Sequence, residues 1–591
     1  MKTIHNILCM AALAIAGTML SGCSNDDIMT DSPVAPVTAD NDSIITLTTT
    51  ISLEGDPVTT RALTAAGRKT FAVNDQVAVF FYNKSYMTKR VISQKLTDAN
   101  ISSDGKSATF TVAFKQPYND SPVRIVYPAA MAKSINENVI IDVDANTIDF
   151  DQLNEQNGTL TTIGSKYDLA TFDGNLEENA LPSHISLTNR LAICEFTVKD
   201  GGNDITNTIT GLSVGNGNNS YLVSRSAGDG PIYVAMQPVS SGDIIIVATD
   251  GTSNYQKIVS GKTLAASNIY PVRVTMAKTN AKILDFLTTD YTAQDGETLT
   301  GTLHSNVKIS IAAGATVTLS NVTINGTNDA YYQWAGITCL GNATLMLDGT
   351  NSVTGFYESY PGIQPGGEGT TLTIQGTGSL TASSHGSGAG IGSSNAGSSN
   401  GSTCGNILIE GGTITATGQN NSAGIGTGFY GTCGNITING GNVTATAKHD
   451  GAGIGASYEG NCGNITISGT ANVTASGNDG AGIGSAYSSV TCGDIRIEGG
   501  TVVCTGHSSG AAIGSANSST CGTITITDGV TSITATKGYG ADNIIGRGKN
   551  DSGSSGTVTI DGVENATPQS EFTHFNSALS NSDKTWTLTH K

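Results

Sequence analysis

The chain has 591 residues, a formal net charge of −19, 13% charged residues and 74 glycines. Several domains are expected at this length, and the lack of any basic patch excludes nucleic acid as an expected partner. Low charge with abundant Thr, Ser, Asn and Gly suits exposed β-structure on an extracellular protein.

Residues 1–22 have the form of a secretory signal peptide. Lys2 precedes an apolar stretch, Ile7 to Leu20, that is too short to span a bilayer and ends in small residues. Leu20-Ser21-Gly22-Cys23 resembles the lipobox of bacterial lipoproteins. That resemblance implies a thioether-linked lipid on Cys23 as the mature N-terminus. The next residues, Ser24-Asn25-Asp26-Asp27, are similar to the acidic signal that sends such lipoproteins to the outer surface in Bacteroidetes. The alternative is an ordinary signal with an incidental cysteine.

From about Ile44 to Met276 the chain carries strand-like runs: IITLTTTISL, DQVAVFFYN, SATFTVAF, PVRIVYP, ISLTNRLAICEFTV, DIIIVATD and YPVRVTMA. Turns such as Asp104-Gly105 and Asp250-Gly251 separate them. This spacing argues for antiparallel sandwiches, and about 230 residues is ample for two.

Four segments in this region carry a family resemblance: VTTRALTA (Val58 to Ala65), DQVAVFFYN (Asp75 to Asn83), LTNRLAICEFTV (Leu187 to Val198) and GKTLAASNIYPVRVTM (Gly261 to Met276). In this order, behind a lipobox, they resemble the Bacteroidetes fimbrillin superfamily over about 40% of the chain. The resemblance implies two transthyretin-like β-sandwich subdomains, 62–185 and 186–278. It also implies export as a lipoprotein, with 23–61 as a propeptide trimmed by an arginine-specific protease at the bond here between Arg61 and Ala62. Removing the first strand would open a groove that the C-terminal strand of another subunit fills. IITLTTTISL (Ile44 to Leu53) is then the strand to be removed, being apolar, β-branched and just ahead of Arg61. Arg61 is the only basic residue between the signal and Arg68. The alternative is an ordinary loop arginine. An emptied groove exposes apolar surface and unpaired backbone, and a donated strand satisfies both.

Residues 279–563 are repetitive. Cys404, Cys433, Cys462, Cys492 and Cys521 are spaced 29, 29, 30 and 29 residues apart, each followed by glycine and a short β-branched run. Before each lies AGIG or a variant, with its isoleucine at Ile391, Ile425, Ile454, Ile483 and Ile513; weaker copies surround Ile337, Ile363 and Ile545. Such a period means stacked units. In the repeat from Gly480, three strands read AGIGS, DIRIE (Asp494 to Glu498) and TVVCT (Thr501 to Thr505), with apolar residues alternating in DIRIE. The predicted fold is therefore all-β: two transthyretin-like β-sandwich subdomains followed by a right-handed parallel β-helix of about eight coils, a rod roughly 40 Å long. A cap, 564–591, closes it. The cysteines lack the CxxC spacing of zinc ligands. Stacked in register their side chains point one way, which suits a ladder of small buried groups better than disulfides. GAGIG recurs in every coil with no helix after it, so it is not a phosphate loop. Neither a metal nor a cofactor is expected.

Some 310 residues follow the second sandwich. A strand held between folded domains is hard to thread into a neighbour's groove, so such a subunit accepts a strand but does not readily donate one. The reading is a fimbrium tip subunit at the cell surface, exported as an outer-membrane lipoprotein precursor. Its partners are other fimbrial subunits and a glycan or host-surface ligand on the solenoid. The alternative is a permanently lipid-anchored polysaccharide-binding protein that does not polymerise. The candidate ligand residues are Tyr331, Tyr332, Trp334, Phe356, Tyr357 and Tyr360, clustered in the early loops. His385, His449 and His507 recur before the AGIG strand and Tyr430, Tyr458 and Tyr487 after it, with Asn420, Asp450 and Asp479 offering hydrogen bonds. The alternative is that these side chains merely cover the corners of the rod. Hydrolysis needs convergent carboxylates, whereas Glu410, Asp494, Glu498 and Asp528 are scattered. Arg496 between Asp494 and Glu498 is the nearest approach to a lyase grouping, and no catalysis is expected.

Overall fold

The structure is a computed structural model. It describes residues 44–52, 70–82, 87–115, 122–134, 143–176, 180–216, 219–228, 230–395, 397, 402–488, 490–549 and 554–591. Cys23, Arg61 and Ala62 lie outside the described residues. Among the described residues the chain is all-β with short helical turns only, and no helix is long and apolar enough to cross a membrane.

In the first unit, β1 (Ile44–Ser52) runs antiparallel to β4 (Ser107–Lys115) along its full length and parallel to β8 (His184–Ser186). It is thus the middle strand of a three-stranded sheet. Its far end is fastened by Thr50 N–H to the Ser183 carbonyl at 3.1 Å and by the Thr49 hydroxyl to the Pro182 carbonyl at 2.6 Å. The facing sheet has the order β3 (Met87–Ile92), β2 (Ala78–Tyr82), β5 (Pro122–Tyr127), β7 (Ala170–Asn175), β9 (Thr188–Asn189). β2 reads AVFFY without alternation because both its faces are covered. Val79 and Phe81 join Ile51, Phe110 and Ile125 in one core, whereas Ala78 and Phe80 join Phe196, Val214 and Val234 of the second unit in another. The guanidinium of Arg124 is buried beside β7, where Asp173 grips it through two bonds of 2.6 and 2.7 Å and Asp144 pairs with both Arg124 and Arg190.

The second unit contains β10 (Ala192–Asp200), β11 (Asn203–Asp204), β12 (Gly211–Gly215), β13 (Ser220–Ser224), β14 (Ile232–Met236), β15 (Ile244–Thr249), β16 (Asn254–Val259) and β17 (Ile269–Thr279). The first part of β17 lies parallel to β10 and its end pairs with β16, so one strand turns the corner between layers. The first unit lends β6 (Glu155–Gln156) to the edge of β13. There the buried Gln156 amide exchanges hydrogen bonds with the backbone of Ala235, at 2.7 and 2.9 Å.

Beyond Lys282 the chain coils as a parallel β-helix. Its wide face is a 21-stranded sheet carrying two strands per coil, and two narrow faces have ten and six strands. The full repeat has four strand positions: Ile-Gly, Thr-Cys, Ile-Thr-Ile and a longer Val-Thr-Ala run. The Thr-Cys strand is additional to the three read from the sequence. It is only two residues long, too short for any periodicity to reveal. Isoleucines 391, 425, 454, 483, 513 and 545 stack in register and are buried. The glycine after each explains the AGIG motif. Gly455 sits at φ +129 and Gly484 at φ +135, and a Cβ on either would collide with the glycine carbonyl of the next coil.

A second ladder runs along the turn after each cysteine. Asn406 Oδ1 accepts from Asn435 N–H, Asn435 from Asn464, Asn464 from Asp494 and Asp494 from Thr523, each at 2.8 Å. The hairpin Phe575–Ser580 and Thr585–His590 lies antiparallel against Val530–Thr536 and buries Phe575, Trp586 and Leu588 in the solenoid core.

Gly455→Ala combines left-handed strain with overlap on the next coil, so it should destabilise the solenoid by about 2–4 kcal/mol. Gly202→Ala, whose Cβ meets nothing within 4 Å, should be near neutral. Thermal unfolding followed by circular dichroism compares the two.

Candidate functional site

The early aromatic residues divide by burial. Tyr331 is 88% exposed, whereas Phe356 is 1% exposed and belongs to the solenoid core. Phe356 is therefore a wall of the loop rather than a contact, because its ring is part of the solenoid core. Trp334 packs on it with ring centroids 5.7 Å apart, and Tyr332 meets Trp334 edge-on at 5.5 Å. The indole Nε1 of Trp334 is buried without a hydrogen-bond partner, an unmet donor within the loop. Asp329 shapes the loop by accepting from Tyr331 N–H at 2.9 Å, and the Asp329 carbonyl accepts from Tyr332 N–H at 3.0 Å. One coil on, Tyr357 and Tyr360 are half-buried, with the Tyr357 hydroxyl 3.2 Å from Glu358 Oε1.

The later tyrosines form a second grouping. Phe429, Tyr458 and Tyr487 follow one another on successive coils at 5.5 and 5.6 Å, and Phe429 touches Tyr430 at 4.3 Å. The rings are tilted against one another by 42° and 34°, so each covers part of its neighbour's face. Phe429 was missed by sequence reasoning, although it occupies the same place after AGIG as the tyrosines of the next two coils. His385 Nε2 lies 2.8 Å from the Gly326 carbonyl, while His449 and His507 are exposed. Asp450 and Asp479 are neighbours on adjacent coils, and burial together with Asp479 pushes the Asp450 carboxyl up.

The charged residues that a catalytic reading would use are engaged elsewhere. Asp494 is a member of the turn ladder, and Arg496 pairs with Glu498 on the exposed strand face. Ser220, His304 and Asp285 meet where the second sandwich touches the first coil, but both partners lie 3.4 Å from the same nitrogen, His304 Nε2. A relay needs them on opposite ring nitrogens. Among the described residues, no group of three or more His, Cys, Asp or Glu side chains could hold a metal ion.

Cysteines 404, 433, 462, 492 and 521 stack in register on the narrow face, all buried and free of disulfides. The hydrogen bond to the thiol one coil earlier, reinforced by burial, pushes Cys433, Cys462 and Cys492 well up. Burial alone does so for Cys504 and chiefly for Cys521.

A family model described as a beta helix repeat matches residues 372–395, 407–429, 436–458 and 465–487. No curated protein matches the chain. Solved structures to which part of the chain is similar include a fimbrial assembly protein from Parabacteroides distasonis, 13% identical over 39% of this chain and 92% of its own, with a TM-score of 0.24. A fimbrial protein from Bacteroides ovatus is 14% identical over 41% of this chain and 52% of its own, with a TM-score of 0.21. A streptococcal ancillary pilin is 11% identical over 40% and 69%, with a TM-score of 0.15.

The stacked thiols give a pH dependence. An unfolded cysteine ionises near pH 8.5, while the buried ones keep their protons. Stability is therefore fully present below that pH and is lost as pH rises toward the folded values. The melting temperature of the solenoid should fall between pH 8 and 10, and fall less in a Cys433→Ala, Cys462→Ala, Cys492→Ala variant. Differential scanning calorimetry across that range measures the difference.

Proposed function

We propose that this protein is the accepting tip subunit of a surface fimbrium and that its solenoid is the adhesive module. The observation that carries the reading is the position of β1. Because it lies between β4 and β8, its release would uncover two backbone edges and the apolar site of Ile51 at once. That is the groove a donated strand fills. Accepting without donating is supported by the segment after β17: Lys282–Ile283 already pairs with Thr298–Leu303 in the first coil. The resemblance of VTTRALTA to a fimbrillin processing segment supplies the release step at Arg61-Ala62, and the lipobox around Cys23 supplies the route to the surface.

The ligand on this reading is a glycan held by the early loops. Tyr331, Tyr357 and Tyr360 present the reachable ring surface, and Trp334 and Phe356 form its support. Exposed aromatic clusters of this kind mark contact surfaces.

Treatment of surface-expressed protein with an arginine-specific protease should yield a chain beginning at Ala62, read by N-terminal sequencing. That product should bind a stalk-subunit donor peptide yet form no homopolymers. A chain that keeps Cys23 and Ile44–Ser52 after protease would sink the strand-exchange reading, and homopolymer ladders would sink the tip assignment.

A Tyr331→Ala, Tyr357→Ala, Tyr360→Ala variant keeps Trp334 and Phe356 in place and should stay folded. Ring stacking is worth about 0.5–1.5 kcal/mol per contact beyond buried area, so its binding on a glycan array should fall below detection. Unchanged binding by the folded variant would move the adhesive site elsewhere.

A further inference from the structure

A cleft of about 440 Å³ opens where the second sandwich meets the first coils of the solenoid. Its floor is the outward face of β12, β13 and β15, and its walls come from the solenoid segments 301–304 and 321–327 and from residues 150–155 of the first unit. The joint below is fixed by a chain of buried polar groups. Asp285 Oδ2 accepts from Thr302 N–H at 2.8 Å, while His304 Nε2 links Asp285 to Ser220, whose hydroxyl is 2.9 Å from that of Ser213. Gln256 also bonds Thr300 across the same contact at 3.0 Å. These contacts join the sandwich floor of the cleft to its solenoid wall.

The lining is mostly polar, with amides and hydroxyls outnumbering its charged groups. Five side-chain amides, Asn154, Asn219, Gln237, Asn321 and Asn325, face the cleft, and neither lysine nor arginine does. Asn219 Nδ2 donates to Gln237 Oε1 at 2.7 Å, which fixes the Gln237 amide and leaves its nitrogen as a donor. Amides offer a donor and an acceptor side by side, the complement of adjacent hydroxyls that each do both. The ring of Phe150 at the edge offers an apolar face. An anion would find neither lysine nor arginine here, only the His304 ring already shared between Asp285 and Ser220, and it would meet the carboxylates of Asp151, Glu155 and Asp285. The volume falls in the range of small-ligand sites.

We propose that this cleft binds a neutral sugar, one or two residues long, at a site separate from the aromatic loops. The inference does not depend on cleavage at Arg61 or on the tip assignment. Gly215 lines the cleft, and a Cβ there makes only ordinary contacts from 3.5 Å outward. Gly215→Phe can therefore fill the space without disturbing the sheet. Gln237→Ala removes the fixed donor.

The test is calorimetric titration of the whole protein with lactose, cellobiose and N-acetylglucosamine, with glucuronic acid and glucose 6-phosphate as charged probes. At least one neutral sugar should bind, about tenfold more weakly in either cleft variant, while the charged probes do not bind. The triple tyrosine variant should bind that sugar as the wild type does. Thermal unfolding establishes that each variant is folded. Absence of binding by every neutral sugar, undiminished binding in Gly215→Phe, or preference for a charged probe would overturn the proposal. Loss of sugar binding in the tyrosine variant alone would overturn it too, while supporting the aromatic loops as the ligand site.

Discussion

The carbonyl of one coil's glycine occupies the place where a side chain on the preceding coil's glycine would be, and this repeats from Gly392 to Gly514. That approach of backbone to backbone sets the geometry of the narrow face. It forces glycine at the position and brings the isoleucine before it into register with its neighbours. Over the same coils, from Ile391 to Ile545, the apolar side chains of the core are Ile, Val, Ala and Cys. The cysteine ladder belongs to these coils, whereas the earlier coils also bury Leu345, Phe356 and Leu372. The loops outside the coil are free of the constraint, which is why aromatic and acidic residues collect there.

The two halves of the chain handle strand edges differently. In the solenoid the strands of each coil pair with those of the coils on either side, and the turns add the Asn406–Asn435–Asn464–Asp494 hydrogen bonds. In the first sandwich the pairing depends on a single inserted strand. β1 satisfies β4 over its whole length and β8 over three residues, so two edges share one partner. β2 has no such exposure, because β3 and β5 pair with its two edges, while its two faces feed two different cores and thereby couple the first unit to the second.

Period and alternation made most of this legible in the sequence. The 29-residue recurrence identified the coil, and the runs between Ile44 and Met276 identified the sandwiches. The Thr-Cys strand was legible only as a recurring cysteine and not as a strand, because no alternation surrounds its two residues. The turn ladder had a visible signal, the Asn or Asp that follows Cys-Gly in CGNI and CGDI, but its meaning depends on a neighbour some 29 residues away rather than on local sequence. The aromatic loops show the opposite limit. Tyr331 and Phe356 are both loop aromatics by sequence, and only the path of the backbone separates an exposed ring from a core ring. The cleft at the junction was invisible for the same reason: Asn154, Gln237 and Asn321 come from three units whose meeting no local pattern records.

A stack of near-identical rungs contains no instruction about where to stop. Here that instruction lies in the terminal hairpin, which pairs with Val530–Thr536 in the opposite direction and covers the core with Trp586 and Leu588. It contacts only the last coils. Whole repeats can therefore be gained or lost in the middle while both ends keep their partners. The length of the rod is then a quantity adjustable in steps of about 4.8 Å per repeat, independent of the sandwiches at one end and the closure at the other. Reach becomes a heritable variable that can change without redesign of the fold.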